Sequence, residues 1–288
     1  MTEEPRKDCT NNFLFPKTDK RIKPFLKWAG NKYRCLTRIL HHLEPAQRLI
    51  EPFTGSGSVF LNTAYSDYLL AEDNRDLIHL FQLLQNEGVA FIDYCSGFFI
   101  PANNVANRYY EFREEFNDTQ DPWQKGALFL YLNRHGYNGL CRYNRRQGYN
   151  VPFGRYDKPY FPRAEMQYFH QKSQQAQFVV SDFRQTMHQI KRGDIVYCDP
   201  PYVPLSATAN YVSYTHKKFS EADQLDLVKL AIQGAERGAV VLISNHDTPF
   251  TREHYHAGQI ISFPVMRSIS CQSKTRCEVQ ELVAIFRK

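Results

Sequence analysis

From residue 21 onward the chain alternates short apolar runs with stretches of helical period. Arg48–Phe53 (RLIEPF) is predicted to be a strand, ending in a glycine-bearing turn, Thr54–Gly57, with a helix starting at Ser58. Asp67–Glu72 (DYLLAE) is the next strand, which makes a β-α-β unit with a parallel pair. Residues 75–98, 106–117 and 122–135 carry apolar positions at helical spacing. Arg113, Glu114 and Glu115 fall on a polar face, and Leu128, Phe129 and Leu132 on an apolar one. Gly136–Tyr160 is rich in Gly, Asn, Arg and Tyr and has no helical period, so it reads as a β-hairpin and loop. A helix is expected at about 162–176. Strands follow at Gln177–Ser181, Asp194–Cys198 and Ala239–Ser244, with a long helix between the last two. Ser220 and Asp223 fit a capping box at that helix's start. Glu278–Arg287 alternates apolar and polar as a late strand should. The pattern predicts an α/β sheet domain with an α-rich, basic-hairpin insertion after its second strand, preceded by a disordered leader over residues 1–20.

Composition agrees with a folded chain: 42% of the 288 residues are hydrophobic and 23% charged. No run of about 18 apolar residues predicts a membrane-crossing helix. The polar N-terminus has no signal-like apolar stretch, so a cytoplasmic location is expected. Seven cysteines without a C-x-x-C pair, and ten histidines without H-E-x-x-H, predict neither a disulfide framework nor a metal site. The net charge of +6 is unevenly spread. Between Tyr131 and Arg163 lie Arg134, Arg142, Arg145, Arg146, Arg155, Lys158 and Arg163 against the single acid Asp157, with six tyrosines interleaved. A solvated basic hairpin is one reading; charge this concentrated among aromatics and asparagines favours a nucleic-acid surface.

Two motifs carry candidate chemistry. Phe53-Thr54-Gly55-Ser56-Gly57 sits at a strand-to-helix turn, where glycines let a ligand approach the backbone. Phe60 stands where the dinucleotide fingerprint needs its third glycine, which argues against NAD or FAD. Glu72 ends the next strand, where a carboxylate can accept ribose hydroxyls; a structural turn with a surface acid fits these residues equally well. Asp199-Pro200-Pro201-Tyr202 follows the apolar run IVYC. Its prolines stiffen the turn and remove donors, leaving carbonyls, a carboxylate and an aromatic ring. That set suits a planar group bearing an NH2.

In the order FLKWAGNK, FTGSG, DPPY, these segments resemble the motifs of S-adenosylmethionine-dependent amino-methyltransferases of DNA, in the α-group arrangement. LFLYLNRHGYNGLCRYN, NVPFGRYDKPYFP, PLSATAN and LISNHDT are similar to the DNA adenine methyltransferase (Dam) family, which methylates adenine in GATC. The similarity runs from about residue 25 to the C-terminus. It implies a Rossmann-like methyltransferase sheet with an inserted α-helical plus β-hairpin DNA-recognition domain. The implied division is 21–74 and 163–288 catalytic, 75–162 target-recognition.

The implied cofactor is S-adenosylmethionine and the implied partner double-stranded DNA, with no metal and no obligate protein partner. Trp28, Lys32, Phe53, Gly55, Gly57, Glu72, Asp182, Phe183 and Asp199 would border the cofactor. Asp199 and Pro200 would hold the target amino group and Tyr202 would stack on the flipped base. Lys27, Arg134, Tyr137, Asn138, Leu140, Arg142, Asn144, Asn150, Pro152, Arg155 and Tyr156 would meet DNA. The chain departs from the family pattern at Glu72 (often Asp), Asn31 (commonly Gly) and Asp157 (commonly basic). The competing functions are cytosine-N4 or other-sequence methylation, an inactive DNA-binding regulator, and a nucleotide-dependent oxidoreductase. Cys198 precedes Asp199 and reads as a strand residue, not as the nucleophile a C5-cytosine mechanism needs.

Overall fold

The computed structural model describes residues 21–204, 219–268 and 276–288. The expected leader and residues 205–210 of the PLSATAN segment lie outside the described residues. Seven strands form one sheet: β1 (Arg48–Glu51), β2 (Asp67–Glu72), β3 (Ala176–Val180), β4 (Ile195–Cys198), β5 (Val240–His246), β6 (Gln259–Ser268) and β7 (Arg276–Phe286). Their order is β3-β2-β1-β4-β5-β7-β6. The first five are mutually parallel, while β7 runs antiparallel to both β5 and β6.

The sheet is covered on both faces, which explains its uninterrupted apolar runs. Alternate residues point to opposite sides. Leu49, Tyr68, Leu70, Ile195 and Tyr197 enter one core with α1 (Leu36–Leu40), α2 (Arg75–Ser96), α3 (Ala106–Asp118), α4 (Pro122–His135) and α5 (Arg163–Ser173). Ile50, Leu69, Val196 and Cys198 enter a second core with α6 (Phe183–His188) and α7 (Glu221–Glu236). A short α8 (Pro249–His254) follows β5. The chain leaves β1 toward β2 on one side and reaches β4 on the other. The crevice at the carboxyl ends of β1 and β4 is therefore a topological switch point, the usual place for a ligand in such sheets.

Several expectations need correction. The helix expected from Ser58 is one 3-10 turn, Phe60–Asn62. Asn62 Nδ2 donates to the Ser58 carbonyl (2.9 Å) and the Thr63 hydroxyl to that of Val59 (3.1 Å), and such side-chain bonds compete with helix propagation. The helix expected over 75–98 breaks at Gly88, whose φ is +54°. The ring of His170 wedges against that glycine and its Nδ1 lies 3.0 Å from the Leu84 carbonyl, the group the break would leave without its helical donor. The expected β-hairpin has only two isolated bridges, Gly136 with Phe153 and Tyr143 with Tyr149. β6 was not anticipated; its Pro264 is tolerated because β6 is an edge strand. The capping box is present: Ser220 N donates to Asp223 Oδ2 (2.7 Å) and Asp223 N to Ser220 Oγ (3.3 Å).

Candidate active site and DNA-facing surface

The glycine turn follows β1 directly. Gly55 and Gly57 have φ of +51° and +74°, a left-handed backbone that disfavours any side chain. At Gly55 a Cβ would also sit 3.0 Å from Nε1 of Trp28, so the indole lies against the turn. Thr54 N donates to the Ala71 carbonyl (3.0 Å) and Gly55 N to Glu72 Oε2 (3.1 Å), stitching the turn to the end of β2. Burial pushes the Glu72 carboxyl up to about 7, against the pull of the Gly55, Asp73 and Asn74 N–H groups. Glu51, the last residue of β1, is 2% exposed, and its Oε1 has no hydrogen-bond partner among the described residues. Burial raises its carboxyl well above the ordinary value.

Beside the turn, Phe53 stacks on Phe183 at 5.4 Å, and Phe219 meets Phe53 edge-on at 5.6 Å. Asp182 caps α6 by accepting from Arg184 N at 2.9 Å. Arg184 also pairs with Asp223 and Asp226, tying α6 to α7.

The DPPY loop leaves β4 across the crevice. Asp199 Oδ1 lies 2.8 Å from Lys32 Nζ. Burial raises the Asp199 carboxyl, opposed by the Lys32 ammonium and the Tyr202 hydroxyl; buried Glu281 pushes it up further. Lys32 also donates to the Gly30 carbonyl (2.8 Å) and sits 4.4 Å from the centroid of Tyr202. Asn31, where a glycine is common in the family, has an ordinary φ of −56° and caps the turn Lys32–Arg34.

Because its prolines lack N–H groups, the loop is held by side chains. Gln224 Nε2 donates to the Pro201 carbonyl (2.8 Å) and Val203 N donates to Asn245 Oδ1 (3.0 Å). His246 Nδ1 is 2.6 Å from the Val203 carbonyl. Gln224 Oε1 in turn accepts from Asn245 Nδ2 (3.1 Å) and the Tyr255 hydroxyl (3.0 Å). Tyr202 donates to Glu281 Oε2 (3.2 Å) and meets the His246 ring edge-on at 4.9 Å. Among the described residues nothing donates to the Pro200 carbonyl. Cys198 is fully buried in β4 with its thiol pushed up by burial, so it is no thiolate nucleophile.

Asn133 on α4 brackets Lys27, accepting its N–H (2.9 Å) and donating to its carbonyl (2.7 Å). Lys27 Nζ sits 3.7 Å from the Tyr156 ring centroid, and burial, helped by Arg134, lowers its pKa to about 8. The Tyr156 hydroxyl accepts from Asn138 N at 3.0 Å. Lys27, Trp28, Asn31, Arg34 and Asn138 line a groove of about 350 Å³. Arg134 is tied down, its Nε to the Tyr160 carbonyl (3.0 Å) and its Nη1 to that of Phe25 (3.4 Å). Tyr137, Arg142, Asn144, Pro152 and Arg155 are exposed; Leu140 and Asn150 are half-buried. Asn144 Oδ1 accepts from Arg146 N and Gly148 N (2.8 and 3.1 Å), forming the loop tip. Below it, Tyr143 donates to Asp76 (2.6 Å) and Asn74 to Cys141 (3.4 Å), docking the loop beside the end of β2.

Sequence reasoning missed Glu51, Asn133, Phe219, Gln224, Asn245, His246, Tyr255 and Glu281 as parts of this site. Asn245 and His246 carry a legible signal, two polar residues at the end of an apolar strand. Gln224 and Glu281 carry none, since each looks like an ordinary polar position of its helix or strand.

The model of the "D12 class N6 adenine-specific DNA methyltransferase" family matches residues 28–269. The chain belongs to this family. It is therefore an adenine-specific DNA methyltransferase with DNA as its substrate, on a Rossmann-like methyltransferase sheet. It is 48% identical over 268 residues to "DNA adenine methylase" of Escherichia coli (strain K12), covering 93% of this chain and 96% of that one. It is 46% identical to the protein of that name from Vibrio cholerae, covering 93% and 97%, and 48% identical to that from Serratia marcescens, covering 93% and 100%.

Proposed function

We propose that the chain moves a methyl group from S-adenosylmethionine to N6 of an adenine flipped out of duplex GATC. The observation that carries this reading is the DPPY loop, which holds a carboxylate, a carbonyl that no described residue donates to and an aromatic ring at the sheet's switch point. The crevice fits the cofactor. Glu51 Oε1, a buried acceptor with no donor among the described residues, suits an α-ammonium group; Glu72 suits ribose hydroxyls; Phe53 and Phe183 offer an apolar wall for an adenine. In this reading Trp28, Lys32, Gly55, Gly57 and Asp182 also border the cofactor. Bound there, the cofactor supplies an electrophilic methyl group on a sulfonium.

The chain's own residues then act on the adenine. Its N6 lone pair is delocalised into the ring, which makes it a weak nucleophile. Asp199 and the Pro200 carbonyl accept its two N–H bonds and favour a pyramidal nitrogen whose lone pair faces the methyl. Orientation and a charge that steadies the developing ammonium supply most of the effect. The N–CH3 bond forms as the S–CH3 bond breaks, and the surplus proton leaves the nitrogen through Asp199 to solvent. Inside a duplex this nitrogen is unreachable, so the base flips at a cost of a few kcal/mol, part of which stacking on Tyr202 offsets. Lys27, Tyr137, Asn138, Leu140, Arg142, Asn144, Asn150, Pro152, Arg155 and Tyr156 form the DNA-facing surface, with residues 75–162 as the target-recognition region.

The test is transfer of label from tritiated cofactor to a GATC duplex, run beside a DNA-binding titration. The native chain labels the adenine of GATC. Asp199→Ala abolishes transfer yet leaves DNA affinity nearly intact, because phosphates supply most of that affinity. Near-normal turnover by Asp199→Ala, or equal labelling of a duplex without GATC, would overturn the reading.

A further inference from the structure

Arg142 and Asn150 face each other across the recognition loop through three hydrogen bonds. Asn150 N donates to the Arg142 carbonyl at 3.0 Å. Arg142 Nε donates to Asn150 Oδ1 at 2.8 Å, and its Nη2 donates to the Asn150 carbonyl at 3.0 Å. Nε and Nη2 form the side edge of a guanidinium. A single asparagine therefore occupies that whole edge with two acceptors, one from its side chain and one from its backbone. Among the described residues nothing accepts from the end edge, Nη1 with the second hydrogen of Nη2.

Arg142 is exposed, whereas Tyr149 beside Asn150 is buried and its hydroxyl donates to the Leu140 carbonyl at 2.9 Å. Asn117 on α3 grips the backbone of Tyr149 in both directions, accepting its N–H at 2.8 Å and donating to its carbonyl at 3.3 Å. Asn150 is thus mounted on a fixed strand of the loop, while the Arg142 side chain would otherwise be a free rotor. Holding a long side chain before binding removes an entropy cost that binding would otherwise carry. A planar fork also reads a base edge only when its plane is set.

We propose that Asn150 is a positioning residue for sequence discrimination: it sets the plane of the Arg142 guanidinium so that the end edge meets O6 and N7 of one guanine. This rests on the reading of Arg142 as a base contact in GATC. It gives Asn150 a role distinct from touching DNA itself. Asn150→Ala removes the Oδ1 acceptor but keeps the backbone carbonyl. Asn150→Asp keeps an acceptor at the same place.

The experiment is a double-mutant cycle, measuring kcat/KM on GATC and on each singly substituted site at fixed salt for the native chain, Asn150→Ala, Asn150→Asp, Arg142→Ala and Arg142→Ala with Asn150→Ala. The expected Arg142→Ala result is loss of roughly tenfold or more in discrimination at one G·C pair only. Asn150→Ala loses part of the same discrimination at the same pair, Asn150→Asp retains it, and Asn150→Ala adds nothing once Arg142 is gone. If Arg142→Ala is position-specific but Asn150→Ala leaves discrimination intact, or lowers every site equally, or adds its full effect to Arg142→Ala, the positioning role is overturned while the base contact stands. If Arg142→Ala weakens all sites uniformly, the base contact itself falls and the proposal falls with it.

Discussion

Lys32 Nζ lies 2.8 Å from Oδ1 of Asp199, so the lysine upstream of the first strand reaches the carboxylate after the fourth. The same ammonium is 4.4 Å from the Tyr202 ring centroid, so one cation touches both groups proposed to receive the adenine. The Lys32 ammonium opposes the rise that burial imposes on the Asp199 carboxyl. Removing that cation leaves desolvation less opposed, and the Asp199 carboxyl rises further. Lys32→Met is therefore expected to move the acid limb of the kcat profile to higher pH, with a loss of turnover that shrinks as pH is raised. An acid limb in the native position would mean that Lys32 does not set the charge of Asp199.

The proposed ribose contact of Glu72 would tie cofactor binding to pH. Its carboxyl, pushed up to about 7, is largely neutral below that pH in the free protein. Ribose hydroxyls donate best to the ionised form. Affinity for the cofactor, or for its demethylated product, is thus expected to rise between about pH 6 and about pH 8 and to level off above. Glu72→Gln should bind more weakly at high pH and lose most of this dependence. Calorimetric titration across the range checks it; a native affinity flat in pH counts against Glu72 as the ribose acceptor.

Arg155 is exposed with φ of +54°, a left-handed backbone that costs a non-glycine residue about 1–2 kcal/mol. Its proposed partner is a DNA phosphate. Arg155→Gly relieves the strain and, after the greater freedom of glycine in the unfolded chain, should leave the melting temperature unchanged or raised. If Arg155 meets a phosphate, the salt dependence of DNA binding should lose about one unit of slope. An unaltered slope removes Arg155 from the DNA surface.

Gln224 serves three groups at once: the Pro201 carbonyl, Asn245 Nδ2 and the Tyr255 hydroxyl. It is fully buried, and Gln224→Leu would remove one hydrogen bond from each of these partners. A destabilisation of about 2–4 kcal/mol is expected in denaturant unfolding, since each orphaned polar group costs about 1–3 kcal/mol and water can reach some of them. Turnover should also fall through a slackened DPPY loop, with cofactor affinity much less affected. A stability change under about 0.5 kcal/mol would show that the network does not hold the loop.

The sequence by itself determined what contiguous residues can carry. Short apolar runs such as IVYC read as strands, and the β-α-β unit at residues 48–72 forecast a parallel pair. The glycine turn, the proline-stiffened DPPY and the concentrated basic stretch are likewise local, because backbone geometry and charge density act within a few residues. Ser220 and Asp223 announced a helix start for the same reason.

The tertiary structure alone decided where polar groups find their partners. Lys32 with Asp199, Tyr202 with Glu281, Lys27 with Asn133 and Gln224 with Pro201 are joined across the fold, and no periodicity connects them in the chain. It also decided that residues 136–160 have only two isolated bridges and not a ladder, since their backbone groups are met by Asn117, Asn144 and Tyr156. A buried donor or acceptor must be satisfied by whatever folding brings near, and desolvation makes that requirement strict. Position along the chain therefore says which groups need partners, and only packing says which groups those partners are.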